Sequence, residues 1–218
     1  YRPFSMTYVI EDSSVETLEE IRSSLKTPKN FIPLAIEDDV VGFYSNDEGD
    51  VDADPTEPRL KDHQEYLNEI EASEGHQRGG GKGICVVDVE YGWALDHVDL
   101  PSHMPAGPLF GQNKGFECGN NNKHGTKVLG VLFMQPNLIG GTGVVPNAIP
   151  LLSSVCVGDP MGRMEDVTSA LLFAAQAIPV GHVMLIEIQS RSGFPLEHFD
   201  TWREVLRVIC DSGVVVVE

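Results

Sequence analysis

The sequence predicts an α/β fold, a parallel sheet with helices on both faces, and three observations support this prediction. From residue 84 onward, short apolar segments of strand length alternate with longer segments of helical periodicity. The strand segments are continuously apolar, which is typical of strands buried on both faces. The helical segments carry an apolar stripe on one side and can cover a sheet with it.

The elements follow one another in a regular order along the chain. A strand–helix–strand pattern indicates a small α+β region at residues 1–44, and residues 45–58 read as an acidic linker before a larger domain at residues 59–218. The strands predicted in the larger domain are Ile84–Val87, Pro150–Val157, His182–Ile188 and Val214–Val217, the last so apolar that a central position is expected. Three helices are predicted there. The first begins near His124, the second runs from Met164 to Ile178, and the third begins at Asp200 and stops at Gly213.

Composition excludes several classes of function. The formal net charge of −18 argues against nucleic-acid binding, which needs clustered Lys and Arg. No apolar run approaches the length of a membrane span, so no membrane partner is expected. His and Cys residues show no ligand spacing, so neither a metal nor another cofactor is expected. Cys85, Cys156 and Cys210 lie in apolar runs and are predicted to be buried thiols, which leaves the compartment undecided.

Two polar residues stand at the ends of buried segments. Asp88 follows the first strand, where a carboxylate is costly to bury unless a partner receives it. His124 opens the helical segment that follows a polar loop. An acid that orients an imidazole allows the ring to accept a proton from a hydroxyl. Asp88 and His124 are therefore predicted to be half of an acid–base–nucleophile triad, whereas a lone strand-end Asp would more simply accept backbone hydrogen bonds.

Four ordered motifs resemble those of the subtilisin-like serine peptidases (subtilases, peptidase S8 family). They are Val87-Asp88 with His97-Val98-Asp99-Leu100, then His124-Gly125-Thr126, then Gly143–Ala148, and finally Gly213–Val217. The resemblance extends over residues 81–218. It implies a three-layer α/β fold, cleavage of a polypeptide substrate by an Asp/His/Ser triad, and no cofactor. It also favours secretion and a propeptide role for residues 1–44, for which an accessory domain is the alternative.

The resemblance assigns roles to individual residues. Asp88 would orient the ring of His124, and His124 would be the general base. Glu187-Ile188-Gln189 falls where the family pairs with extended substrate. The Gly-Thr-Ser nucleophile motif and the oxyanion asparagine are absent from the sequence, so the chain is expected to be a fragment, inactive without the missing C-terminal part of its own domain.

Departures from the family pattern keep other functions open. After its Asp the family often has Thr or Ser and then Gly, whereas Asp88 is followed by Val89 and Glu90. Strand alternation would point Glu90 the same way as Asp88, and its like charge would raise the pKa of an acid that it approached. A non-catalytic subtilase-like protein that binds peptides or another partner is the main alternative, and an unrelated α/β binding domain is the other.

Overall fold

A computed structural model describes residues 64–113, 123–137, 139–157, 164–190 and 194–218. The predicted α+β region at residues 1–44 and the acidic linker at residues 45–58 lie outside the described residues. The helices are α1 (Tyr66–Glu69), α2 (Ala72–Gln77), α3 (Lys123–Phe133), α4 (Met164–Ala177) and α5 (Asp200–Asp211), with a 3-10 helix at Leu196–His198. The strands are β1 (Cys85–Glu90), β2 (Ile149–Ser154), β3 (Val183–Ile186) and β4 (Val215–Val217).

The four strands form one parallel sheet in the order β2-β1-β3-β4. Helices connect successive strands, because parallel neighbours need a crossover that returns the chain to the same end of the sheet. All carboxyl ends of the strands therefore meet at one edge, where sites collect in folds of this kind. The predicted α/β fold with a parallel sheet is confirmed.

The two faces of the sheet are packed against different helices. On one face Val86 of β1 and Leu152 of β2 pack with Leu129 and Phe133 of α3. On the other face Val87 and Val89 pack with residues of α4 and α5, such as Leu171 and Ile209. Successive side chains of a strand point to opposite faces, so β1 serves both cores and has no exposed residue. The result is a three-layer arrangement with α3 alone on its side among the described helices that cover the sheet.

Strand β1 is longer than the sequence predicts. The predicted strand stops on Asp88, but β1 continues through Glu90, which pairs in register with Ser154 of β2. Val89 is completely buried and continues the apolar row that faces α4 and α5. The carboxyl end of the central strand is therefore at Glu90 and not at Asp88.

Strand β4 stands at the edge of the sheet that the structure describes. Among the described residues β4 pairs with β3 alone, and it stands last in the strand order. Val215 and Val217 are 49% and 46% exposed. The expectation of a central position refers to the complete domain, in which a further strand would pair with β4, so it stays a prediction.

The cysteines differ from expectation at two of three positions. Cys85 is buried and free, as predicted. Cys156 is buried but disulfide-bonded, and its partner lies outside the described residues. Cys210 is free but exposed, because it lies on the solvent side of α5. Among the helices that the structure describes, none is both long and apolar enough to cross a membrane.

Candidate active site

Two carboxyl groups of β1 face α3 from adjacent positions on one face of the strand. Asp88 and Glu90 are two positions apart, with Val89 between them, so they point to the same side of the sheet as Val86. Both are buried, with 0% and 1% of the residue exposed. Buried carboxyl groups need partners, and the two groups have different ones.

Glu90 is the partner of the histidine. Its Oε2 atom lies 2.8 Å from Nδ1 of His124, and its Oε1 atom accepts the Tyr91 N–H over 2.8 Å. Burial raises the pKa of Glu90, and the Tyr91 N–H and the bond to His124 act in the opposite direction. When Glu90 is ionised it can only accept hydrogen bonds, and Nδ1 of His124 is then the donor in this contact.

This bond determines what the other ring nitrogen can do. With the proton on Nδ1, Nε2 of the neutral ring has a free lone pair. The side chain of His124 is 49% exposed, while that of Glu90 is 2% exposed. The arrangement therefore combines a buried orienting acid with an accessible base, which is the geometry that general-base catalysis requires.

Asp88 does not contact His124, and the predicted hydrogen bond between them is wrong. Its Oδ2 atom accepts the indole N–H of Trp93 over 2.7 Å, and its Oδ1 atom has no hydrogen-bond partner among the described residues. Burial raises the pKa of Asp88 to about 8, and the charges of Glu90 and Glu187 add to this while the Trp93 bond opposes it. The physical reason for the error is the length of β1: the strand carries the chain two residues further before the edge, so Glu90 reaches the histidine.

The two residues after His124 explain why the motif continues with Gly and Thr. A Cβ atom on Gly125 would lie 2.6 Å from the carbonyl oxygen of Gly92 and 2.8 Å from both Cγ of Glu90 and Cδ1 of Trp93. Only glycine allows the first turn of α3 to approach β1 this closely. Thr126 then accepts the Ala94 N–H on its Oγ1 atom over 2.8 Å, which ties the segment after β1 to the helix.

One signal in the sequence could have identified Glu90. The family pattern has an acid, then Thr or Ser, then Gly. Aligned on Asp88, this pattern finds Val89 and Glu90; aligned on Glu90, it finds Tyr91 and then the required Gly92. Gly92 contacts the first turn of α3 through its carbonyl oxygen, close to the position of Gly125. The position of Gly92 in the sequence therefore indicates the acid near the histidine better than the choice of Asp over Glu does.

The predicted substrate-binding residues lie beyond the end of β3. Glu187 is exposed and its charge acts on both Asp88 and Glu90, so it lies at the same edge of the sheet. Ile188 is 5% exposed and belongs to the core under α4 and α5, so its side chain is not available to a ligand. Gln189 is exposed and forms an isolated antiparallel bridge with Pro195. Substrate pairing at these residues stays a prediction.

The remaining motif histidine has a structural contact. His97 accepts the Asp99 N–H on its Nδ1 atom over 3.3 Å, and Asp99 in turn accepts the Gly141 N–H. Across the described ranges, no group of three or more His, Cys, Asp or Glu side chains is arranged to hold a metal ion. The described chemistry of the site is thus that of a carboxylate–imidazole pair.

Comparison with known proteins adds a fold relationship. The chain is similar to a solved structure described as proteases from Pseudoalteromonas arctica PAMC 21717, with a TM-score of 0.54 and 20% sequence identity. The match covers 72% of this chain and 56% of that one, so the chain spans little more than half the length of this structural neighbour. No protein-family model matches the chain, and no curated protein matches it. At this level of identity the similarity establishes a shared α/β fold.

Proposed function

We propose that this chain is part of a serine-type endopeptidase of the subtilisin-like class. The observation that carries the proposal is the 2.8 Å contact between the buried carboxylate of Glu90 and Nδ1 of the half-exposed His124, at the carboxyl edge of a parallel sheet. The similarity of the fold to a solved protease supports it, as does the order of the motifs in the sequence.

In the proposed mechanism each residue has one task. Glu90 orients the imidazole and stabilises its cationic form, so it takes the role that the sequence suggested for Asp88. Nε2 of His124 accepts the proton of a serine hydroxyl while the serine oxygen attacks the peptide carbonyl carbon. The same nitrogen then donates this proton to the leaving amine. Water hydrolyses the resulting serine ester with His124 again as the base.

The nucleophile and the oxyanion donor come, in this proposal, from sequence outside these 218 residues. Among the described residues no serine hydroxyl is hydrogen-bonded to His124, whose ring contacts Glu90. The backbone at Glu187 and Gln189 would pair with an extended polypeptide substrate. A disulfide at Cys156 supports an oxidising compartment, because such bonds persist outside the reducing cytosol.

The alternative is a non-catalytic protein with a subtilase-like fold that binds polypeptides at the same edge. The absence of a described serine next to His124 favours it. The two proposals differ in whether a hydroxyl nucleophile completes the site.

The deciding experiment uses the full-length protein that contains this chain. We expect it to hydrolyse members of a fluorogenic peptide panel and to be labelled by a fluorophosphonate, a reagent that reacts with activated serines. His124→Ala should remove both activities. The 218-residue chain alone should show no turnover, because loss of the serine costs about 2 × 10⁶ in kcat in subtilisin. Peptide binding without turnover or labelling would favour the non-catalytic protein.

A further inference from the structure

Asp88 is a buried acid that the proposed reaction does not use. The residue is 0% exposed. Within the described ranges one of its carboxyl oxygens has no hydrogen-bond partner, and the other accepts a single bond, from Trp93. A fully buried carboxylate normally has a cation or several donors around it. The surroundings of Asp88 thus fit an uncharged carboxylic acid better than a carboxylate.

The charges around Asp88 lead to the same conclusion. The charged groups that act on it are Glu90, two residues away on its own strand, and Glu187, after β3. Both are acidic. From α3, the ionisable side chain at this site is His124, and its ring is bonded to Glu90. A negative charge on Asp88 would face like charges, and this favours its protonated form.

Trp93 connects Asp88 to the helix that carries the histidine. Its indole N–H is bonded to Asp88, and its backbone N–H donates to Oδ1 of Asn113 over 2.8 Å. The residue is 2% exposed, and its ring edge fills the space next to Gly125. These three contacts hold Trp93 between β1 and the first turn of α3. The ring meets that turn at Gly125, the residue after His124.

We propose that Asp88 is a positioning residue that, as a neutral carboxylic acid, holds Trp93 and through it the first turn of α3, so that His124 meets Glu90. This rests on the proposed function, since it assigns a task in the same site. Asp88 is hydrogen-bonded to Trp93 and not to His124, so it acts through Trp93 and through its lack of charge.

The proposal gives the site an alkaline limit. The pKa of Asp88, raised to about 8 by burial first and by Glu90 and Glu187 next, sets the pH at which the proton leaves. Ionisation adds a second negative charge beside Glu90. A buried carboxylate without a cationic partner is costly, and Trp93 with the first turn of α3 must move to let water or a donor reach it, which separates His124 from Glu90. The native state binds this proton more tightly than the unfolded chain does, so its stability falls as pH rises from the ordinary Asp pKa of 3.8 to about 8, and this loss is complete above about 8.

The first test is the pH dependence of kcat/KM in the full-length protein. Wild type should lose activity above about pH 8, by about tenfold per pH unit once one essential proton has left. Asp88→Asn accepts the indole N–H but cannot ionise, so it should keep its activity at about pH 9 and about pH 10, where the wild-type acid is ionised. Its loss at about pH 7 should be less than about tenfold.

Asp96→Asn is the control. It changes an exposed Asp on the segment after β1 and should keep the wild-type profile. A loss of about 10⁴ in Asp88→Asn at every pH would make Asp88 the orienting acid and overturn the proposal.

The second test needs no turnover, so it separates this proposal from the proposed function. Infrared difference spectra should show a protonated carboxyl band that disappears near pH 8 and is absent from Asp88→Asn. Trp93→Phe removes a donor that lowers the pKa of Asp88, so the band should persist to higher pH.

Trp202→Phe is the matched control, because the indole N–H of Trp202 has no partner among the described residues. In Trp93→Phe the downfield Nδ1–H proton resonance of His124 should weaken, and in Trp202→Phe it should not. Absence of an Asp88 band, or an unchanged resonance in Trp93→Phe, would overturn the proposal even if the protein hydrolyses peptides.

Discussion

The two halves of the sheet's carboxyl edge differ in how many contacts their residues make within this chain. In the half formed by β1 and α3, which we call the histidine half, Glu90 and His124 are bonded to each other and glycine lets the helix approach. In the half formed by the ends of β3 and β4, which we call the open half, Val215 and Val217 are about half exposed. Glu187, also there, is exposed.

The open half also contains an unusual pair of acids. Glu218 accepts the Leu196 N–H and is hydrogen-bonded to the carboxyl group of Glu197. Burial first, and this bond next, raise the pKa of Glu218 to about 7. Two carboxyl groups in hydrogen-bond contact share a proton, because two negative charges at this distance would repel each other.

The difference shows which part of the edge is held in place by contacts among the described residues. In the histidine half every residue of the His124-Gly125-Thr126 motif has a contact within the described residues, so each substitution there should have a defined cost. In the open half Glu187, Val215 and Val217 are exposed, so substitutions of these residues should have small effects on folding. The expected effects of four substitutions test this contrast.

The largest effect is expected for Glu90→Gln in the full-length protein. The amide keeps the shape of the side chain but lacks the charge that stabilises the imidazolium ion. Loss of the charge on an orienting acid costs about 10⁴ in kcat in serine peptidases, so a similar decrease is expected. Peptide hydrolysis at about pH 7 measures it. Glu90→Asp keeps the charge on a shorter side chain and should retain more activity than Glu90→Gln. A decrease of less than about tenfold in Glu90→Gln would remove Glu90 from the mechanism.

The second effect concerns the close approach of α3 to β1. Gly125→Ala places a Cβ atom 2.6 Å from the Gly92 carbonyl oxygen, so the helix must shift. The free energy of unfolding should fall by about 1–3 kcal/mol, as in other overpacked sites. Denaturant unfolding of the full-length protein measures this change.

A matched control lies in the same helix. Gly130→Ala would meet Met134 at 3.8 Å, an ordinary contact, and alanine is the better helix former by about 1 kcal/mol. Gly130→Ala should therefore leave stability unchanged or raise it. Equal destabilisation by both variants would show that the cost does not come from the contact with β1.

A smaller effect is expected at Thr126. Thr126→Val removes the oxygen that accepts the Ala94 N–H, with a cost of about 1 kcal/mol in the free energy of unfolding. Thr126→Ser keeps the hydroxyl and should lie closer to wild type. Thermal unfolding of both variants beside wild type checks this, and a larger loss in the serine variant would contradict it.

The smallest effect is expected for a substitution in the open half that changes the pKa of a residue in the histidine half. Glu187→Gln removes a charge that raises the pKa of Asp88, so the pH at which the Asp88 band disappears should fall, by less than about one unit. Unfolding free energy should hardly change, because Glu187 is exposed. Glu197→Gln is the control, since Glu197 is not among the charges that act on Asp88. A rise of the midpoint in Glu187→Gln would refute the assigned charge effect.

Much of the fold could be predicted from the sequence because its signals are local. The valine runs and helical stripes of β1, α4 and α5 appear within a few residues of where they are predicted. Ends are harder to predict because they depend on pairing. That β1 reaches Glu90 follows from its register with Ser154, a residue far along the chain, which no local pattern contains.

The candidate site was predicted in part for the same reason. His124 was identified by its place at the start of a helix, which is a local signal. The choice between Asp88 and Glu90 was not local, because strand alternation puts both on one face. The partner of Trp93 and the disulfide of Cys156 likewise depend on tertiary contacts. Local signals therefore point to His124, whereas the acid that it meets depends on the length of β1.

The unequal exposure of the pair has a consequence for chemical labelling. Glu90 occupies Nδ1 of His124 and is itself shielded, so a haloketone reagent meets the ring only at Nε2. Alkylation would then be regioselective, with one product instead of the mixture expected from a freely rotating imidazole. Peptide mapping of the Nε2 product would count the molecules in which the contact with Glu90 is formed, independently of any substrate.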